Sequence, residues 1–186
     1  MEIIKARQTD ADFIADCVME AVGKEICSNL AGKNHTLADV KQVFSLLAAR
    51  EDTQYSYLNT LLAVDENGRP IGAIVGYDGE KLHAMREHFF AAAREILEIE
   101  MGDMDDECDG EEFYFDTLAV VPEHRGKGIA RELLIAMGER ARDCGKPAGL
   151  LVEKSKPGVR ALYESVGFRK IGDRPFAYVV MDHMRM

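Results

Sequence analysis

The chain has 186 residues, 47% of them apolar and 30% charged, an ordinary balance for one globular domain, 1–186, with a proper core. Its formal net charge of −10 argues against a nucleic-acid partner, whose phosphates need a basic face, and admits a cationic one. No segment approaches the roughly 20 apolar residues of a membrane span, so no membrane partner is expected.

Ile3 to Ala6 reads as a short first strand. Thr9 or Asp10 can cap a helix running to about Ile26, with Phe13, Ile14, Cys17, Val18, Ala21 and Val22 on one face. Gly32 to His35 is a turn, and Thr36-Leu37-Ala38-Asp39 resembles a capping box that opens a second helix to about Ala49. Asn59 to Val64 and Pro70 to Tyr77 are strands joined by Asp65-Glu66-Asn67-Gly68, a strong hairpin signal. Lys81 to Met101 carries a helical stripe of Leu82, Met85, Phe89, Ala92, Ala93 and Ile96, widened by Phe90 and Leu97. An acidic loop, 102–112, follows. Phe113 to Val121 is then a strand, 126–144 a long helix, Ala148 to Val152 a strand and 158–166 a helix. Phe168 to Gly172 and Phe176 to His183 close as an antiparallel pair. The expected class is α+β, with a mixed, mostly antiparallel sheet flanked by helices.

The opening residues Met1-Glu2-Ile3-Ile4-Lys5 lack the apolar stretch of a signal peptide. Cys17, Cys27, Cys108 and Cys144 are scattered, with no Cys-x-x-Cys pair. They read as free thiols of a reducing cytoplasm, which is the expected compartment.

The most informative stretch is Arg125-Gly126-Lys127-Gly128-Ile129-Ala130. It lies between a strand and a helix whose apolar face holds Ile129, Ala130, Leu133, Leu134, Met137 and Ala141. Glycines admit a ligand close to backbone, and the N–H groups of a first helical turn point at it. Arg125, Lys127 and Arg131 add positive charge, so a phosphate or pyrophosphate is the expected occupant. A Walker loop is excluded because Ile129 follows Gly128, and a dinucleotide fingerprint because Arg131 stands where its third glycine belongs.

Arg125, Gly128 and Ala130 resemble the Arg/Gln-x-x-Gly-x-Gly/Ala signature of the GNAT N-acetyltransferases. Leu118-Ala119-Val120-Val121-Pro122-Glu123 resembles that family's lead-in, and Leu162-Tyr163-Glu164-Ser165-Val166-Gly167-Phe168 its Leu-Tyr-x-x-x-Gly-Phe segment. The close match spans Asp116 to Phe168. The resemblance implies acetyl-CoA as acetyl-donating cosubstrate, with no metal. Its pyrophosphate would lie on the turn from Arg125 through Gly126, Lys127, Gly128, Ile129 and Ala130 to Arg131. Its pantetheine arm would pair with Leu118, Ala119 and Val120, between splayed strands Phe113–Val121 and Ala148–Val152. Lys156 stands where many members have Asn, so it either reaches a CoA phosphate or is solvated.

The resemblance assigns Tyr163 as general acid to the departing thiolate, against a packing role beside Leu162 and Val166. It places Asp116 beside the acceptor amine, against a structural hydrogen bond. An ordinary Asp near pKa 3.9 is a poor base for an ammonium near 10.4, so a raised pKa, a water chain or plain anchoring is required. Main-chain N–H groups from Leu118 to Val120 would polarise the thioester carbonyl. Tyr55, Tyr57 and Asn59 are acceptor-pocket candidates.

The implied activity is direct acetyl transfer in a ternary complex to a primary amine, a small cationic one by preference. The alternatives are a non-catalytic acyl-CoA-binding module and a protein Lys or N-terminal acetyltransferase.

Residues 81–112 form an insertion where the family usually has a short hairpin. Its helix is too apolar for a free-standing surface helix and is expected to pack on the domain or, in a homodimer, on a second copy. Its loop reads either as a solvated connector or as an acidic rim that draws a cationic acceptor. Asp105, Glu107, Asp109 and Gly110 fit the first, third, fifth and sixth positions of an EF-hand, but the twelfth falls on Asp116 inside a strand. His35, His83, His88, His124 and His183 show no ligand spacing.

Overall fold

The computed structural model describes residues 1–102, 104–177 and 179–186. A seven-stranded sheet runs through it. In chain order the strands are β1 (Glu2–Lys5), β2 (Thr60–Val64), β3 (Pro70–Asp78), β4 (Phe113–Val120), β5 (Ala148–Glu153), β6 (Arg169–Phe176) and β7 (Val179–Arg185). The helices are α1 (Ala11–Val22), α2 (Lys24–Ala31), α3 (Leu37–Ala48), α4 (Leu82–Leu97), α5 (Ile129–Asp143) and α6 (Pro157–Ser165). The sheet order is β1-β2-β3-β4-β5-β7-β6. Every neighbouring pair is antiparallel except β4 and β5. This is the mixed, mostly antiparallel α+β architecture that the sequence implies.

The part of the sheet around β2, β3 and β4 is covered on both faces. Leu62, Val64, Ala73, Val75 and Ala119 pack with the apolar sides of α1, α3 and α4. Leu61, Ala63, Ile71, Ile74, Phe113 and Phe115 pack with Leu133, Leu134 and Met137 of α5. Consecutive residues of β2 therefore enter opposite cores, which is why all five of its residues are buried.

One helix of the sequence reading divides in two. Gly23 takes a φ of 92° and ends α1, its N–H donating to Met19 O, and α2 starts at once. The Thr36 capping box forms as expected: Thr36 N donates to Asp39 Oδ2 at 2.7 Å, and Asp39 N to Thr36 Oγ1 at 3.3 Å.

The insertion folds onto the body. α4 buries Leu82, Met85, Phe89, Ala92, Ala93 and Leu97, and also Arg86. Phe89 stacks on Phe44 of α3 with ring centroids 6.1 Å apart. The acidic loop differs from a solvated connector, because Glu107, Cys108 and Glu112 are buried within it. Asp103 lies outside the described residues. The loop does not form an EF-hand register either. Glu107 turns inward to Arg86, and Asp109 pairs with Arg174 at 2.6 Å. Asp109, Glu112 and His183 do converge, but Arg185 stands 3.5 Å from Asp109 and 3.1 Å from Glu112. With guanidinium groups on it, that cluster reads as an ion-pair network.

Candidate active site

β4 and β5 pair only at Phe113 with Ala148 and Tyr114 with Gly149. Beyond Tyr114 the two strands part, and the β4 edge toward β5 has no strand partner among the described residues. The resulting cleft is lined by Phe115, Asp116, Leu118, Leu150, Leu151 and Tyr163. The two residues that the sequence reading assigns to proton transfer thus share one cleft, although they come from β4 and α6.

Asp116 owes its position to a β-bulge. Val75 pairs with Thr117 and Gly76 with Phe115, which leaves Asp116 as the extra residue of β4. The bulge also switches the strand's parity. Before it Phe113 and Phe115 enter the α5 core, and after it Leu118 and Val120 do. A one-residue slip of this kind re-aims every later side chain.

The carboxyl of Asp116 is half-buried and pushed up to about 7. Burial is the main cause and the nearby Glu107 carboxylate the second; the hydrogen bond from Thr117 opposes them. Thr117 Oγ1 donates to Asp116 Oδ1 at 2.8 Å.

Tyr163 is half-buried and held on α6 against Phe168, ring centroids 6.1 Å apart. Burial pushes its phenol up to about 12. Its packing role and its place in the cleft coexist.

The glycine turn caps α5 as a left-handed pair, with φ of 74° at Gly126 and 82° at Gly128. The first helical acceptor is Gly128 O, which takes Glu132 N at 3.2 Å. Among the described residues, the backbone N–H groups of Gly126, Lys127, Gly128, Ile129, Ala130 and Arg131 find no partner. A row of unpaired donors at a helix N-terminus is an anion site. Arg125 braces it: Nε donates to Val120 O at 2.9 Å and Nη2 to Glu20 Oε1 of α1 at 2.7 Å. Lys127 Nζ donates to Glu123 O at 3.0 Å, while Arg131 is exposed beside Glu132. Lys156, at the start of α6, pairs with Glu153 at 2.6 Å.

The three early pocket candidates separate. Tyr55 lies edge-on to Phe44, centroids 5.2 Å apart, and close enough to Asp116 and Glu107 for both to raise its phenol, after burial, well above the usual tyrosine range. Tyr57 Oη donates to Glu51 Oε1 at 2.9 Å. Asn59 Nδ2 donates to Thr53 O at 2.9 Å and Gln54 O at 3.1 Å, so its amide ties its own loop together.

Sequence reasoning missed the polar group behind Asp116. Tyr77 Oη donates to Glu107 Oε1 at 2.9 Å and lies 3.5 Å from Asp116 Oδ2. Gln54 Nε2 donates to Glu107 Oε1 at 2.8 Å, and Arg86 Nη2 to Glu107 Oε2. One signal was available. Arg86 adjoins Met85 and stands one turn before Phe89, on the apolar face of its helix, where a cation needs a buried anion.

The sequence matches the acetyltransferase (GNAT) family model over residues 34–168. No curated protein matches it. A crystal structure described as an acetyltransferase superposes with a TM-score of 0.84 at 26% identity, covering 100% of this chain and 98% of that one. An N-acetyltransferase from Staphylococcus aureus Mu50 gives 0.78 at 20% identity, covering 100% of both chains. The structure of yncA from Salmonella typhimurium with its cofactor acetyl-CoA gives 0.62 at 20% identity, covering 100% of this chain and 92% of that one. The family match takes in the bulged strand, the glycine turn and the tyrosine helix together, and the chain therefore belongs to the GNAT family as an acetyl-CoA-dependent N-acetyltransferase.

Proposed function

We propose that the acetyl group passes by direct attack, in a ternary complex, to the primary amine of a small cationic acceptor. The observation that carries this is Asp116: a bulge residue lining the same cleft as Tyr163, with its carboxyl pushed up to about 7.

An aliphatic ammonium near pKa 10.4 must lose a proton before it can attack. A carboxylate near 3.9 is badly mismatched for that task, and one near 7 is a far better acceptor. Asp116 takes the proton and the freed nitrogen attacks the thioester carbon. The oxyanion that forms meets main-chain N–H groups of β4 from Leu118 to Val120. Collapse then breaks the C–S bond, Tyr163 gives its proton to the sulfur, and the second nitrogen proton passes through water to the Tyr163 phenolate, leaving a neutral amide and CoA thiol while Asp116 releases the first proton to solvent. A phenol raised to about 12 is a weak acid, but a thiolate released in the same cleft meets the same burial. Cys17 illustrates the size of that effect: burial pushes its thiol up to about 12. CoA phosphates sit on the donors from Gly126 to Arg131, with the pantetheine arm along the unpaired edge of β4.

The net charge of −10 and the Asp116–Glu107 pair favour a cationic acceptor over a neutral one. No helix among the described residues is long and apolar enough to cross a membrane.

The test is thiol release from acetyl-CoA across small di- and polyamines, neutral primary amines, and Lys or N-terminal peptides, with products identified by mass spectrometry. The highest kcat/KM is expected among small cations. Faster acetylation of peptides would move the acceptor class to proteins, and no release with any amine would overturn the transfer reading.

A further inference from the structure

Two carboxylates, Asp116 and Glu107, flank a single phenol, Tyr77. Its hydroxyl has one proton and cannot serve both. The distances decide the donor's direction: 2.9 Å to Glu107 Oε1 against 3.5 Å to Asp116 Oδ2. Glu107 is also where the other donors converge, the Gln54 amide on Oε1 and the Arg86 guanidinium on Oε2. A carboxyl taking bonds from a phenol, an amide and a guanidinium is an acceptor at both oxygens.

We propose that Glu107, delivered by the inserted loop, is a positioning residue: it holds the Tyr77 proton, so that a phenol lone pair and not a donor faces Asp116. This rests on the reading of Asp116 as the acceptor's base. A donor facing Asp116 would stabilise the carboxylate and weaken it as a base. A lone pair does the reverse, because protonated Asp116 can donate to it.

Among the described residues, the other groups around this trio are an ion pair and neutral side chains. α4 presents Arg86. The loop presents Asp106, bonded to Arg86 Nη1 at 3.0 Å, and the Cys108 thiol. β3 and β4 present Tyr77 and Tyr114, and the segment before β2 presents Tyr55. Burial pushes all three phenols well above the tyrosine range and raises the thiol also, so these groups stay neutral through neutral pH. The loop that holds Glu107 is itself fixed. Gly79 N donates to Glu112 O at 2.9 Å, Lys146 Nζ to Gly110 O at 2.7 Å, and Arg86 Nη1 to Met104 O at 3.0 Å. Gly79 has to be glycine, since a Cβ there would lie 2.2 Å from Asp109 O.

The experiment follows the Asp116 carboxyl carbon by ¹³C NMR from pH 4 to 9, in the full chain saturated with CoA, which needs no knowledge of the acceptor. Glu107→Gln removes the charge and frees the phenol, and the Asp116 midpoint should fall by at least about one unit, the usual effect of losing a close like charge. Tyr77→Phe discriminates between orientations and leaves the Glu107–Arg86 pair in place. If the lone pair faces Asp116, losing it lowers the midpoint; if the proton faced Asp116, losing it raises the midpoint. A rise in Tyr77→Phe, or an unmoved midpoint in folded Glu107→Gln, overturns the proposal. Should Glu107→Gln not fold, the sign in Tyr77→Phe still decides. Asp116→Asn, assayed for thiol release with the best amine of the panel, tests the underlying reading separately. Full activity there removes Asp116 from catalysis, whatever the NMR midpoints show.

Discussion

Two aspartates on strands of one sheet, with β5 between them, show what makes a carboxylate reactive. Asp182 on β7 is buried, only 2% exposed, and Asp116 on β4 is half-buried. Burial is the largest cause of the pKa shift at Asp116 and a lesser one at Asp182. Asp182 instead meets Arg160 and Lys170, both at 2.7 Å, and these cations, Lys170 foremost, hold it below the usual carboxylate range. Asp116 meets another carboxylate, and the Arg86 cation beside that carboxylate is engaged by Glu107 and Asp106. Glu112, fully buried, likewise has close partners, His183 at 2.9 Å and Arg185 at 3.1 Å. Asp182 and Glu112 thus sit against arginine or lysine, whereas among the described residues no ion pair is made by Asp116.

The sharpest way to break this comparison is to neutralise each aspartate and measure turnover. Asp116→Asn should lower kcat by roughly 10²–10⁴-fold, the usual size of an acid–base contribution, with CoA affinity unchanged. Tyr163→Phe keeps the ring against Phe168 and should lower kcat by a similar factor. Asp182→Asn should leave kcat per folded molecule nearly untouched. A comparable loss at Asp182 would mean that the fold, not the cleft chemistry, governs turnover.

Stability should respond with opposite signs. The raised pKa of Asp116 means that its contribution is full below the unfolded value near 3.9 and is lost as pH rises through about 7. Above pH 7 its ionised form costs up to about 4 kcal/mol, at 1.36 kcal/mol per unit. Asp116→Asn should therefore raise Tm at pH 8 while it removes activity, the trade expected of a strained functional group. Asp182, held low, stabilises above its unfolded pKa, and that stability is lost as pH falls through its lowered folded value. Its cationic partners are partly exposed, so Asp182→Asn should cost only about 1–3 kcal/mol at pH 8. Calorimetric melts of both variants at pH 5 and pH 8 check the signs, and matching shifts at pH 8 would remove the distinction.

A third variant separates the two halves of the cleft. Gly128 has φ 82° and open space where a Cβ would go. Gly128→Glu therefore introduces backbone strain and a negative charge at the donor row without a steric clash. Acetyl-CoA affinity should fall at least about tenfold, while the Asp116 titration stays near 7. Undiminished affinity in the folded variant would place the phosphates elsewhere.

The sequence made legible what local chemistry dictates. The glycine turn, the Thr36 capping box and the Asn67-Gly68 hairpin rest on backbone needs that few residues meet. Asp116 and Tyr163 could be named from motifs, but not the cleft that unites them. That depends on β4 and β5 parting after Tyr114 and on a bulge set by pairing with β3, both long-range events. The loop was misread because composition counts charges and not partners. Its Glu107 is matched by Arg86 on the preceding helix, and only the packed fold brings the two together. The helix expected to run to about Ile26 passes through Gly23, whose positive φ divides it.

The smallest expected effect lies on the outer side of that loop, where acids are exposed and exert only a screened field. Asp105 is exposed, and only its backbone carbonyl bonds Arg86 Nη2, at 3.1 Å. Asp105→Asn thus removes one surface charge and leaves the buried group intact. For a cationic acceptor KM should rise about twofold or less at low salt. The difference should vanish as ionic strength approaches ~0.5 M, because the screening length near 0.15 M is already about 8 Å. Glu107→Gln, only two residues away but buried, should instead shift the pH profile at every salt concentration, since a desolvated charge is little screened. If the two variants shared the same salt dependence, Glu107 would belong to the loop's outer field and the division between buried and exposed acids would fail.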